Sequence, residues 1–318
     1  MKIGFHLSSE VNKPLDLLKQ AKKAEEAGFD FLTISDHYHP WINKQGESSF
    51  VWSVIGGISQ VTKGIPLLTG VTCPTVRIHP AIIAQAAATA ASMMPGRFIF
   101  GVGSGENLSE HILGDGWPAA PVRIEMLVEA IDVIRTLWQG GMQDYDGCYY
   151  TVENAQIYTL PEELPPIVIA ADGPIAAEVA GKYGDGLVAL AGKKDIIDVF
   201  NKEGGSGKPT YSFLNVSYAE SEEEAVRMVY EYWPIFANQG ELNWEIKTPT
   251  HFEHAAQMID EEDIAENLVS SPDPEDHINE IKRSIKAGYD HVTMHQLGRD
   301  KFKFIEFYER EVLSEFKE

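Results

Sequence analysis

A chain of 318 residues, 44% of them hydrophobic, has material for a full core, as one large α/β domain or two smaller ones. Its formal charge of −22 repels nucleic acid and anionic membranes, and it has no run of about 18 apolar residues that would span a bilayer. The N-terminus lacks an apolar run of signal-peptide length, and Cys73 and Cys148 make no metal or redox spacing, so a reduced, cytoplasmic setting and a small-molecule partner are expected.

In chain order, residues 2–7 read as a first strand and 14–27 as a helix. The stretch AEEAGFDFLTISDH (24–37) then gives a helix end, a glycine suited to a left-handed cap, and a strand at 30–35. Helix 50–62, strand 65–71 and helix 79–93 follow, with Pro80 suited to the first turn of that helix. Strand 97–102, helix 121–139, strand 166–171, helix 174–182, strand 185–190, helix 194–202 and strand 210–217 continue the alternation. Helices 221–236 and 273–286, strand 290–294 and helix 300–315 complete it.

The unit of helix, Gly turn and doubly buried strand recurs in SIKAGYDHVTMHQL (284–297) and more loosely in AGKYGDGLVALAG (180–192). Eight strands alternating with helices predict a parallel (β/α)8 barrel, a TIM barrel in a single domain over 1–318. A doubly wound open sheet is the alternative.

Three stretches exceed a minimal barrel. A Gly-rich loop at 103–120 follows the fourth strand, and an irregular insertion is expected at 237–262. Residues 144–158 alternate like a hairpin around an Asp-Gly turn. Long loops after barrel strands gather at the C-terminal face, where active sites form.

Four stretches carry candidate chemistry. In SDHYHPW, Asp36 and His37 end a strand, with His39 and Trp41 close behind. A polar pair beside a large aromatic suits a flat ligand, although Asp36 as a turn cap and His37 as a satisfied polar group is an equally open reading. His37 and His39 lack the partner motif of a metal site. In RFIFGVGSGENLSE, Gly-x-Gly-x-Gly allows close backbone approach to a ligand, and Glu106 is a candidate general acid; a flexible loop is the plain alternative. In LLTGVTCPTVRIHP, a strand end at Gly70-Val71 and a turn at Cys73-Pro74 need no functional explanation, and no base sits next to Cys73 in sequence. In IVIAADGPIAAEVAGKYGDG, Asp172 and Gly173 precede a helix N-terminus able to take an anion or carbonyl. Lys193 opens the next helix, where the dipole disfavours a cation, so it is a candidate anion hook.

SDHYHPW, TGVTCPTVRIHPAIIAQAAAT, RFIFGVGSGENLSE, IAADGP and GDGLVALAGK together resemble blocks of the luciferase-like superfamily of flavin and deazaflavin barrels. More narrowly, the chain resembles the coenzyme F420-dependent glucose-6-phosphate dehydrogenase group over nearly its whole length. The resemblance implies a bacterial-luciferase-like TIM barrel, often a homodimer, that moves hydride from a hydroxyl or hemiacetal carbon to F420. An FMN-dependent monooxygenase is the alternative, with FMN as its cofactor.

His37 is then expected to take the hydroxyl proton, Glu106 to protonate the deazaflavin, and Trp41 to pack where cofactor and substrate meet. Asp36 is expected to bind the cofactor and orient His37, and Gly70-Val71 to form a bulge, often a cis peptide, against the ring. Cys73, Ser104, Gly105, Ser109, Asp172, Gly173, Ile175 and Ala176 are expected to line the cofactor. For the substrate, Lys193 matches one of the group's phosphate-binding basic residues. His254 stands at the second such position, and Leu190 where a small hydroxyl residue is usual. Those departures point away from glucose 6-phosphate toward another sugar phosphate, a secondary alcohol or a different hydroxy compound.

Overall fold

The computed structural model describes residues 1–237, 240 and 242–317. Eight parallel strands form the barrel: β1 (Lys2–Leu7), β2 (Phe31–Ile34), β3 (Leu67–Thr69), β4 (Phe98–Val102), β5 (Ile167–Ala170), β6 (Gly186–Leu190), β7 (Thr210–Ser217) and β8 (His291–Gln296). Each pairs with the next in sequence. β6 pairs with β7 at Val188↔Tyr211, and β8 returns to β1 at Ile3↔Val292. That closure excludes the open doubly wound sheet.

The sequence pattern explains the layers. Phe31, Leu68, Val168, Val188 and Tyr211 fill the barrel interior. Ile3, Phe5, Leu7, Leu32 and Ile34 pack outward against the helices in the main core. Strands buried on both faces read as the near-continuous apolar runs seen in the sequence. The recurring Ala-Gly is a helix stop: Gly28 at φ 88° and Gly288 at φ 110° cap helices Pro14–Ala27 and Pro274–Ala287 in the left-handed conformation.

The expected hairpin forms from Gln143–Asp146 and Thr151–Ala155. Glu129 on helix Ala120–Leu137 holds its turn by accepting the N–H groups of Cys148, Tyr149 and Tyr150.

Two elements differ from the sequence reading. Helix Glu222–Tyr232 stops before Pro234, and a 3₁₀ turn, Pro234–Ala237, continues it. The insertion expected to be irregular holds three short helices: Leu242–Glu245, Pro249–Ala256 and Glu261–Asn267. Thr248 caps the second and an Asp260–Asp263 capping box starts the third. Residues 238, 239 and 241 of that stretch lie outside the described residues.

These helices build a second apolar cluster in which Phe252, Ile259 and Ile264 pack with Trp41, Leu108, Trp233 and Leu297. The insertion therefore covers the C-terminal mouth and fixes Trp41 there. Among the described residues, no helix is long and apolar enough to cross a membrane.

Candidate active site

The barrel register places the first pair of the site. Leu7 of β1 is opposite Ile34 of β2, and three residues beyond each lie Glu10 and His37. The two meet, His37 Nδ1 to Glu10 Oε1 at 2.5 Å. Glu106, just past the end of β4, meets the other ring nitrogen, Nε2, at 3.0 Å. Ser35 donates to the second Glu10 oxygen at 3.0 Å.

His37 thus sits between two carboxylates. Burial works against its imidazolium, but Glu106 and Glu10 outweigh burial and hold its pKa well above the ordinary histidine value. Burial likewise works to raise the Glu10 carboxyl, and the His37 charge overrides it, leaving Glu10 below its ordinary value. Trp41 presents its ring edge-on to His37, centroids 5.2 Å apart. Phe252 and Phe236 back the indole.

Asp36 faces elsewhere. Its Oδ2 accepts from the Thr72 hydroxyl at 2.8 Å and its Oδ1 from Arg77 Nη2 at 3.0 Å. Arg77 also meets Glu110: its backbone N–H donates to Oε2 at 2.8 Å and Nε faces Oε1 at 3.4 Å. Burial pushes the Glu110 carboxyl up to about 7 against the pull of Arg77. The group bonded to the His37 ring on the Nδ1 side is Glu10, and Asp36 is bonded to Thr72 and Arg77.

The Gly70–Val71 peptide is cis. Cys73 is buried, its Sγ 3.0 Å from Thr75 Oγ1. Burial, then Glu110, pushes its thiol well above the ordinary range. Ser109 accepts from the Tyr38 backbone N–H at 3.1 Å, tying the loop after β4 to the loop after β2. Gly105, at φ 80°, brings its backbone so close to Cys73 that a Cβ would lie 2.5 Å from Sγ. His39 donates from Nδ1 to the Leu108 carbonyl at 2.9 Å.

Asp172 and Gly173 follow the end of β5, and Ile175, 63% exposed, stands in the first turn of helix Pro174–Tyr183 with the half-buried Ala176. Lys193 ion-pairs with the Asp172 carboxylate and donates to its carbonyl at 3.1 Å. The candidate anion hook is therefore already paired with a carboxylate. Leu190 ends β6, 44% exposed. It borders a cavity of about 730 Å3 whose charged lining is Glu222, Glu266, Asp276, Glu280 and Arg283. His254 is exposed on helix Pro249–Ala256. Among the described residues, no side-chain bond joins it to the other candidates.

Glu10, Arg77 and Glu110 are the site residues that sequence reasoning passed over. Glu10 was marked only by its offset from the first strand, which matches that of His37 from the second.

The model of the luciferase-like monooxygenase family matches residues 1–291. The F420-dependent glucose-6-phosphate dehydrogenase of Microbacterium testaceum is 34% identical, covering 98% of this chain and 96% of its own. That of Nocardia farcinica is 35% identical, covering 98% and 97%. A solved F420-dependent secondary alcohol dehydrogenase, in complex with an F420–acetone adduct, has a TM-score of 0.91 at 31% identity and covers 98% of both chains. With the closed barrel already described, these likenesses establish that the chain belongs to the luciferase-like family, in the group of the F420-dependent dehydrogenases.

Proposed function

We propose that this protein is a coenzyme F420-dependent dehydrogenase that oxidises the CH–OH carbon of a small alcohol, with His37 as the base and Glu106 as the acid. The observation that carries the reading is the imidazole held between Glu10 and Glu106 at the barrel mouth. A deazaflavin fits the loops beside it. Cβ atoms at Gly103 and Gly105 would fall 2.8 Å from Val71 and 2.5 Å from Cys73. The loops there pack closely through their glycines, next to the cis Gly70–Val71 peptide. Val71, Cys73, Ser104, Gly105 and Ser109 would hold the ring, and Asp172, Gly173, Ile175 and Ala176 the remainder of the cofactor. Bound F420 supplies a hydride acceptor.

The chain's own residues handle the protons. The proton at His37 Nε2 faces Glu106 Oε1. Moving that one proton to Oε1 leaves a neutral imidazole, the base, and a protonated carboxyl, the acid. Glu10 stays on Nδ1 and stabilises the imidazolium that re-forms when Nε2 takes the hydroxyl proton. Trp41 and the insertion exclude water from the mouth.

For the substrate, an alcohol suits the charge better than a phosphate ester. Lys193 is already paired with Asp172. The other two candidate substrate positions, Leu190 and His254, bring no permanent cation, in a chain of formal charge −22. A cytoplasmic setting, with Cys73 and Cys148 as free thiols, belongs to the same reading.

Titration with F420 and with FMN, followed by fluorescence, tests the cofactor. F420 is expected to bind at least a hundredfold more tightly; the reverse preference would transfer the chain to the flavin monooxygenases. A homodimer is supported by an apolar face where Phe50, Ile82 and Met93 are 55%, 59% and 41% exposed around a groove between helices Val51–Val61 and Pro80–Met93. Light scattering should give twice the mass of 35.3 kDa, and Ile82→Glu should halve it. A monomeric wild type at micromolar concentration removes the dimer.

A further inference from the structure

Arg77 is a buried cation with a buried carboxylate on either side. Its side chain is 5% exposed. It leaves the chain between β3 and helix Pro80–Met93. Through Nη2 it holds Asp36, the residue before His37. Through its backbone N–H and Nε it holds Glu110. Glu110 closes the short turn Asn107–Glu110, whose N-cap is Glu106. Thr72, on the other Asp36 oxygen, ties in the loop next to the cis peptide. One guanidinium therefore joins the loop that presents the base to the loop that presents the acid, separately from the His37–Glu106 contact.

That direct contact cannot hold the spacing through a turnover. His37 must turn Nε2 to the substrate and Glu106 must turn to the ring, and their mutual bond at 3.0 Å is then given up. The Arg77 bridge makes no demand on either group and persists. Without the guanidinium, Glu110 keeps only the backbone N–H of position 77 and Asp36 only the Thr72 hydroxyl, with no cation between them, and the repulsion of two buried carboxylates pushes their loops apart. A lysine can satisfy one of them but lacks the planar fork that spans both.

We propose, resting on the dehydrogenase reading above, that Arg77 is a positioning residue. Through Asp36 and Glu110 it fixes the spacing between His37 and Glu106 while both are engaged with their ligands.

The test compares full-length wild type, Arg77→Met and Arg77→Lys in two measurements. The first is the hydrogen-bonded imidazole N–H proton NMR signals of His37, identified by their absence from His37→Gln. The second is F420-dependent alcohol oxidation. Arg77→Met is expected to lose the signal from the Glu106 side and to lower kcat about a hundredfold, the scale of a misplacement of about 1 Å, with KM within threefold. Arg77→Lys should recover about tenfold of that loss. If Arg77→Met keeps both signals and its kcat and only melts earlier, Arg77 is a structural pin and the proposal fails.

If Arg77→Met does not fold, Glu110→Gln decides. It leaves the Asp36–Arg77 pair whole, and is expected to weaken the same signal and lower kcat about tenfold; no change in either overturns the idea. A wild type inert with F420 rejects the dehydrogenase reading, and the NMR comparison still decides the role of Arg77.

Discussion

His37→Ala should lower kcat with F420 and a secondary alcohol by about a thousandfold, within the range a positioned base contributes, while F420 binds within a few-fold of wild type. The two histidines buried in the barrel interior do not replace the base. His6 and His295, whose rings lie 4.5 Å apart in the barrel interior, are committed elsewhere. His6 bonds Thr33. His295 bonds Ser8 and Asn215. Burial pushes His6 down to about 3 and His295 well below its ordinary value. Both stay neutral and buried. Stopped-flow absorbance of F420 reads the rate and fluorescence titration reads the affinity. A near-wild-type rate in His37→Ala would remove it as the base.

Replacing His37 by Gln carries a stability signature. The folded-state pKa of His37 is raised, so its contribution is fully present below the unfolded value near 6.5. It is lost as pH rises through the raised folded value. Glu10 is depressed, so its contribution is present above its unfolded value and lost as pH falls through the folded one. His37→Gln should therefore melt earlier than wild type near neutral pH, with the difference shrinking toward alkaline pH.

The fold was legible because its repeating unit leaves local marks. Gly28 and Gly288 stop helices in a conformation that other residues resist, and the strands after them are apolar on both faces. Closure left no local mark. An open sheet and a barrel use the same unit, and only the β6–β7 and β8–β1 pairings separate them. The insertion helices were invisible for another reason. Leu242–Glu245 and Glu261–Asn267 are too short to show a period, and they owe their order to packing around Trp41.

The site divides in the same way. His37, Trp41 and Glu106 stand in motifs dense enough to notice. Glu10 looks like an ordinary loop acid until the Leu7↔Ile34 register lays it against His37. Arg77 and Glu110 each look like surface charges, and only folding shows that each is the other's buried partner.

Glu106→Gln should separate the two jobs its carboxylate does. As the acid, its loss should lower kcat by about a hundredfold. As a charge beside His37, its loss should shift the pH profile, and the sign follows from the geometry. In wild type, Glu106 is the foremost influence raising the His37 pKa, with Glu10 next. The active pair needs the one proton that His37 hands to Glu106, so the profile of kcat/KM, which reports the free enzyme, should fall as pH rises through that elevated value and the proton is lost to solvent. The amide of Gln carries neither charge nor acid proton, so the residual rate of that variant should instead rise with pH as His37 loses its proton, at a lower value than in wild type, even as the plateau falls. Glu10→Gln provides the control. It also removes a charge that raises His37, so the falling limb is kept and moves to lower pH. The acid remains in place, so its plateau should fall by less than that of Glu106→Gln. A limb that stays put in both variants would mean that the ion-paired imidazole is not the group titrating in the reaction. Equal plateaus with a shifted limb would leave Glu106 as a tuner of His37, and the second proton would have to come from elsewhere.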